Sequence, residues 1–196
     1  RVFLRNATMK DSDSSVAGIH QPVRCAAAAY GLVEEEQWGV GKRKCDFYDL
    51  KGDLEVLLAP RALKFQAGAH PALHPGRSAS IVLDGREIGW IGELHPKWRR
   101  KYEIDGTLVL CELDYEPIQS LALPQYTLVS KFPPVRRDIS VTVDESIQVQ
   151  VVIERLLAAA LPIVDTVSVF DLYRGTGIQN GKKGLAFRVL LKDTQK

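Results

Sequence analysis

Four prolines between Glu116 and Pro134 constrain this chain more than any other feature: Pro117, Pro124, Pro133 and Pro134. Each removes a backbone donor and restricts the residue before it, so the stretch cannot be a central strand and reads as an extended linker. The chain therefore divides into a segment 1–120, a linker 121–134 and a segment 135–196. Its 196 residues suit one large or two small domains. With 45% hydrophobic and 26% charged residues there is material for a core, and disordered, collagen-like and low-complexity classes are excluded.

Upstream of the linker the pattern is mostly strands with one clear helix. Asp46 can cap a helix from Phe47, because its carboxylate accepts from the free N–H groups of the first turn. Phe47, Leu50, Leu54, Leu57 and Leu58 then recur on one helical face, and Pro60 stops the run. Asp84-Gly85 between Ser80–Leu83 and Arg86–Ile91 predicts a hairpin, since both turn residues tolerate positive φ. Leu108–Leu113 is a further strand. Val23–Tyr30 is ambiguous, because Ala26–Ala29 favour helix by propensity.

Downstream, Asp138–Val143 alternates apolar and polar and predicts a half-buried strand. Asp144 and Ser146 are competent caps for a helix carrying Val149, Val152, Ile153, Leu156, Leu157 and Ala160, which Pro162 ends. Strands at Val164–Tyr173 and Leu185–Leu191 follow, joined by the glycine-rich loop Arg174–Gly184. The order β-α-β-β is the first three-quarters of a split βαβ, ferredoxin-like unit, giving an α+β chain. A second helix and fourth strand would complete it, and an open edge is a pairing hazard, so they are expected in a longer parent chain. The lack of Met at position 1 likewise suggests a fragment.

Chemistry is scarce. Cys25, Cys45 and Cys111 are odd in number and widely spaced, which argues against a disulfide framework or zinc site and fits a reducing compartment. Asn6-Ala7-Thr8 matches a glycosylation acceptor, a triplet frequent by chance. His70, His74 and His95 each precede a proline and read as turn residues; Asp46, Asp49, Asp53 and Glu55 mostly face solvent beside the apolar stripe. Gly175-x-Gly177-x-x-x-Gly181 misses the dinucleotide spacing and joins two strands, where no helix N-terminus meets a pyrophosphate. No phosphate-binding loop, nucleophile elbow or cysteine nucleophile signature occurs. No catalytic residue and no metal ligand is expected. Apolar runs are far shorter than the ~20 residues of a bilayer span, and the first five residues are too short for a secretory h-region.

Charge points weakly to RNA. Residues 1–126 carry 16 Lys and Arg against 17 Asp and Glu, a net of −1, and residues 127–196 carry 10 against 7, a net of +3. An exposed sheet face with basic and aromatic residues is how several small α/β domains hold single-stranded bases. Ser140, Thr142, Asp171, Tyr173 and Arg188 lie on or near such a face, with Arg136, Arg137, Arg174, Lys182 and Lys183 on flanking loops facing phosphates. A purely structural ferredoxin-like domain is the alternative.

The run Lys131-Phe132-Pro133-Pro134-Val135-Arg136-Arg137-Asp138-Ile139-Ser140-Val141 closely resembles the opening of the ferredoxin-fold anticodon-binding domain of the bacterial phenylalanyl-tRNA synthetase β-subunit family. Val169-Phe170-Asp171-Leu172-Tyr173-Arg174-Gly175, then Lys183-Gly184-Leu185-Ala186-Phe187 and Lys192-Asp193-Thr194, continue the likeness in order. Upstream, Asp46-Phe47-Tyr48-Asp49-Leu50-Lys51-Gly52-Asp53-Leu54-Glu55, His74-Pro75-Gly76-Arg77-Ser78-Ala79 and Gly92-Glu93-Leu94-His95-Pro96 resemble that family's synthetase-like domain. The resemblance runs from about Val23 to the end of the sequence.

It implies a class II aminoacyl-tRNA synthetase of two α and two β subunits, cytoplasmic, which charges tRNA-Phe with phenylalanine using ATP and Mg2+. Catalysis then belongs to α, and this β portion is a catalytically inactive, antiparallel-sheet relative of the class II fold that serves as a packing platform. ATP and Mg2+ belong to the whole enzyme and to no residue here, and the family's magnesium-linked and editing regions lie further N-terminal. The family also implies a strand at Val23–Tyr30. Lys131, Arg136, Arg137, Ser140, Asp171, Tyr173, Arg174, Lys182, Lys183 and Arg188 become the expected tRNA contacts, with Asp171 accepting from a guanine edge and Tyr173 stacking on a base. The rival is a subunit-assembly platform with no RNA contact, which depends on the Phe47–Leu58 helix and Leu108–Leu113.

Overall fold

A computed structural model describes residues 2–8, 10, 16–119, 126, 130–160 and 162–192. The chain separates into two compact units, Arg1–Pro124 and Gln125–Lys196. The first opens with a short antiparallel pair, β1 (Leu4–Arg5) and β2 (Ile19–His20). Its body is a five-stranded antiparallel sheet of β3 (Arg24–Tyr30), β4 (Leu63–Ala67), β5 (Leu73–Leu83), β6 (Arg86–Leu94) and β7 (Leu108–Asp114), ordered β3-β7-β6-β5-β4.

The helix expected after Asp46 is α1, Phe47–Leu58. Asp46 accepts from Tyr48 N at 2.8 Å, and Asp49 reaches back to Asp46 N at 2.8 Å, so the first turn has a reciprocal capping box. Leu50, Leu54 and Leu58 are buried against Ile81, Ile88, Ile91, Val109, Cys111 and Leu113 of the sheet. The hairpin turn has φ 50° at Asp84 and 81° at Gly85, the doubly left-handed geometry that matches strand twist.

Ala26–Ala29 are strand, as the resemblance implied and propensity did not. β3 pairs with β7 along its whole length from Arg24↔Asp114 to Tyr30↔Leu108, and those ladder bonds outweigh a weak helical preference. Two short helices were not read from the sequence: α2 (Pro96–Lys101) and α3 (Glu116–Gln119). In α2, His95 Nδ1 accepts from Lys97 N at 3.0 Å and Pro96 sits where its missing donor costs nothing. α3 corrects the reading of Glu116–Pro134 as extended from its start, since Pro117 is tolerated in a first turn for the same reason. Residues 120–125 and 127–129 lie outside the described residues.

The second unit is β8 (Val135–Asp144), α4 (Val149–Ala158), β9 (Val164–Tyr173) and β10 (Lys182–Leu191). The last strand pairs antiparallel with both others, giving the order β8-β10-β9, and α4 packs against β9. This is the ferredoxin-like arrangement of β-α-β-β. Neither Asp144 nor Ser146 caps α4: Gln148 holds the cap position without a side-chain bond, and Asp144 O instead accepts from Ile147 N in a turn. Strands β8 and β10 are both longer than the alternation suggested. Arg136 and Arg137 belong to β8, and Lys182 and Lys183 to β10, not to loops.

Candidate nucleic-acid interface

Register divides the three-stranded sheet into two faces. Leu185, Phe187 and Val189 are buried, and their partners Val141, Ile139 and Arg137 on β8 and Leu172, Val169 and Val167 on β9 share that inner face. On the other face three rows cross the sheet. Thr142, Gly184 and Tyr173 stand abreast, then Ser140, Ala186 and Asp171, then Asp138, Arg188 and Ser168. The central strand contributes Gly184 and Ala186, so hydroxyls on one side and Asp171 and Tyr173 on the other border a low trough. Of the expected contacts, Arg136, Ser140, Asp171, Tyr173 and Arg188 come together on this open face. Arg137 falls on the inner face opposite Val189, because strand residues alternate sides.

Phe170 belongs to the open face and was missed. Alternation from Leu172 would turn it inward, but Ala186 pairs with Asp171 and Phe187 with Val169, leaving Phe170 as the extra residue of a β-bulge. The Arg188 guanidinium lies over its ring at 4.9 Å. Tyr173 is 48% exposed, and its hydroxyl donates to Thr176 O at 3.1 Å. A Cβ at Gly175 would lie 2.8 Å from that hydroxyl, so glycine lets the loop lie against the ring.

Three of the cations expected at phosphates are engaged within the unit. Arg136 Nη2 donates to Asp138 Oδ2 at 2.8 Å, which raises the guanidinium pKa and lowers that of the carboxyl. Arg174 Nη2 and Nε donate to Glu145 Oε1 at 2.5 and 3.0 Å, and that bonding lowers the Glu145 carboxyl. Lys183, placed in a phosphate-facing loop by the sequence, is buried, and its Nζ donates to Glu145 O at 2.8 Å. Its burial follows from the register, which puts it on the inner face opposite Val143. Lys131 and Lys182 are exposed.

Among the described residues no three His, Cys, Asp or Glu side chains form a group that could hold a metal ion. His70 Nδ1 accepts from Ala72 N at 3.3 Å, so His70, like His95, serves a turn. Among the described residues no helix is long and apolar enough to cross a membrane.

The second unit, with its open face bordered by Asp171 and Tyr173, is of the class the ferredoxin-fold anticodon-binding domain defines, and residues 130–196 match the model of that domain. Residues 1–115 match the phenylalanyl-tRNA synthetase beta chain CLM domain. The chain belongs to the phenylalanyl-tRNA synthetase β-chain family. It is 47% identical over 181 residues, 92% of its length, to the phenylalanine–tRNA ligase beta subunit of Dechloromonas aromatica. It is 48% identical over an alignment of 202 positions covering 98% of its length to that of Burkholderia lata, and 48% over 187 positions covering 95% to that of Aromatoleum aromaticum. The chain spans about a quarter of the length of these relatives, 23%, 25% and 24% respectively.

Proposed function

We propose that this chain is the anticodon-reading portion of a phenylalanine–tRNA ligase β subunit, and that Asp171 and Tyr173 on the open face of β8-β10-β9 hold the tRNA-Phe anticodon. The observation that carries the reading is the row Ser140, Ala186, Asp171, with Tyr173 beside it across Gly184. A guanine offers N1–H and N2–H2 on its Watson–Crick edge, and one carboxylate accepts both. The half-exposed Tyr173 ring, fixed through its hydroxyl, gives a base a surface to stack on. Arg188, held over Phe170 and 3.6 Å from Asp138, lies in the next row, and Lys131 and Lys182 add exposed charge toward phosphates. Arg136, Arg174 and the buried Lys183 shape the unit through Asp138 and Glu145.

In this reading the first unit is a catalytically silent relative of the class II synthetase fold that packs against an α subunit in a cytoplasmic heterotetramer. The α subunit joins phenylalanine to tRNA with ATP and Mg2+, outside this chain. A pure assembly role is the second reading, and it is favoured by fully exposed Trp38 with half-exposed Leu32, Val33 and Val40 near it in sequence. Fluorescence anisotropy at fixed salt separates the two. The chain should bind a stem-loop bearing GAA more tightly than one bearing CAA, and Asp171→Ala should lose about 1.5–3 kcal/mol of binding to GAA alone. Equal weakening for both stem-loops, or no selectivity in the parent, would leave the assembly role.

A further inference from the structure

We propose that α2 forms a second RNA-contacting surface, in which Lys97, Arg99, Arg100 and Lys101 grip phosphodiester backbone and Tyr102 stacks on an unpaired base. This surface lies in the first unit and does not depend on the anticodon reading. Among the described residues no carboxylate forms an ion pair with any of these four cations, whereas Arg136 and Arg174 are each bonded to one. Arg99 Nε is buried without a hydrogen-bond partner. The concentration is local, since residues 1–126 together carry a net charge of −1.

The aromatic part is equally defined. Trp98 is anchored by its indole N–H, which donates to Pro71 O at 3.3 Å. Tyr102 stacks on it with ring centroids 6.2 Å apart and planes inclined by 21°. Lys97 Nζ and Lys101 Nζ each lie 5.3 Å from the Trp98 ring centre. Tyr102 is 62% exposed at the end of the stack. A helix this short has a dipole that rewards a cation or two in its last turn weakly, which does not account for four. An acidic protein surface would satisfy the charges but would leave the exposed ring without use. Phosphates flanked by planar bases satisfy both.

The test is anisotropy of the 196-residue chain with a labelled oligouridylate of about 15 nucleotides, over about 50 to 200 mM salt. Such a probe has no guanine, so Asp171→Ala should leave its binding unchanged, and Tyr173→Ala removes the stacking that the anticodon face offers any base; the loss caused by K97Q/K101Q should be the same in that background, which keeps this surface separable from the anticodon face. K97Q/R99Q/R100Q/K101Q should weaken binding about 100-fold at the low-salt end and reduce the salt slope by about 3. The milder K97Q/K101Q, at two exposed positions, should flatten the slope by about half as much. Y102A should weaken binding about ten-fold at unchanged slope, and Y102F should restore it. Unchanged affinity and slope in K97Q/K101Q would overturn the proposal. So would RNA binding that survives while association with the catalytic partner subunit is lost, because the surface would then be a protein contact.

Discussion

The two units bury their residues in different ways. In the first, α1 lays Leu50, Leu54 and Leu58 on apolar side chains of three strands, so the core is shared among β5, β6, β7 and the helix. In the second, the buried residues among those described all lie on β10, while α4, β8 and β9 have none. A shared core survives damage to one element; a core held by one central strand does not. The same construction leaves the open face of the second unit free of bulky cover, which is what a base-holding surface needs.

Phe187→Ala should be the most severe test of that contrast. Its ring is fully buried on β10, and truncation should cost about 4 kcal/mol, enough to unfold the second unit alone. Trp38, Trp90 and Trp98 all lie in the first unit, so tryptophan fluorescence reports that unit and circular dichroism reports both. The dichroism transition should lose an early component while the fluorescence midpoint stays put. A matching shift in fluorescence would mean that the cores are not independent.

Gly89→Ala should act in the opposite place. A Cβ there would sit 2.0 Å from Glu112 O across the β6–β7 ladder, so the strands must separate, at a cost of about 3 kcal/mol. The fluorescence midpoint should fall, and an unmoved midpoint would refute the close approach. Asp46→Ala removes one half of the capping box and should cost about 1 kcal/mol in urea unfolding of the first unit.

The smallest effect is acid-dependent. Arg43, donating to Asp49 at 2.6 and 2.8 Å, holds that carboxyl down at about 2 from 3.8. A depressed carboxyl contributes stability that is complete above its unfolded pKa and is lost as the pH falls through the folded value. Arg43→Ala should therefore be less stable than the parent at neutral pH, with the gap closing between pH 3.8 and about 2. A gap that persists at the acid end would mean that Arg43 acts through packing instead.

Much of this was legible from local chemistry. Helix α1 begins and ends where Asp46 and Pro60 require, and the hairpin turns at Asp84-Gly85, because capping and turn geometry are decided within a few residues. The face shared by Asp171 and Tyr173 was equally readable, since positions two apart on a strand point the same way. Phe170 was not, because a bulge reverses the alternation without leaving a mark in the residue pattern. The charges of the candidate site were countable, but their availability was not: Glu145 joins Arg174 to Lys183 from 29 and 38 residues away.

The sequence by itself determined the capped helix, the hairpin and the β-α-β-β order. These depend on backbone donors, allowed dihedrals and periodicity, all short-range. Tertiary structure alone decided that Ala26–Ala29 extend, that β10 lies between β8 and β9, and which cations are neutralised. Each of those outcomes depends on a partner distant in the chain, and ladder bonds, burial and ion pairing act only once the fold has brought that partner within a few ångströms.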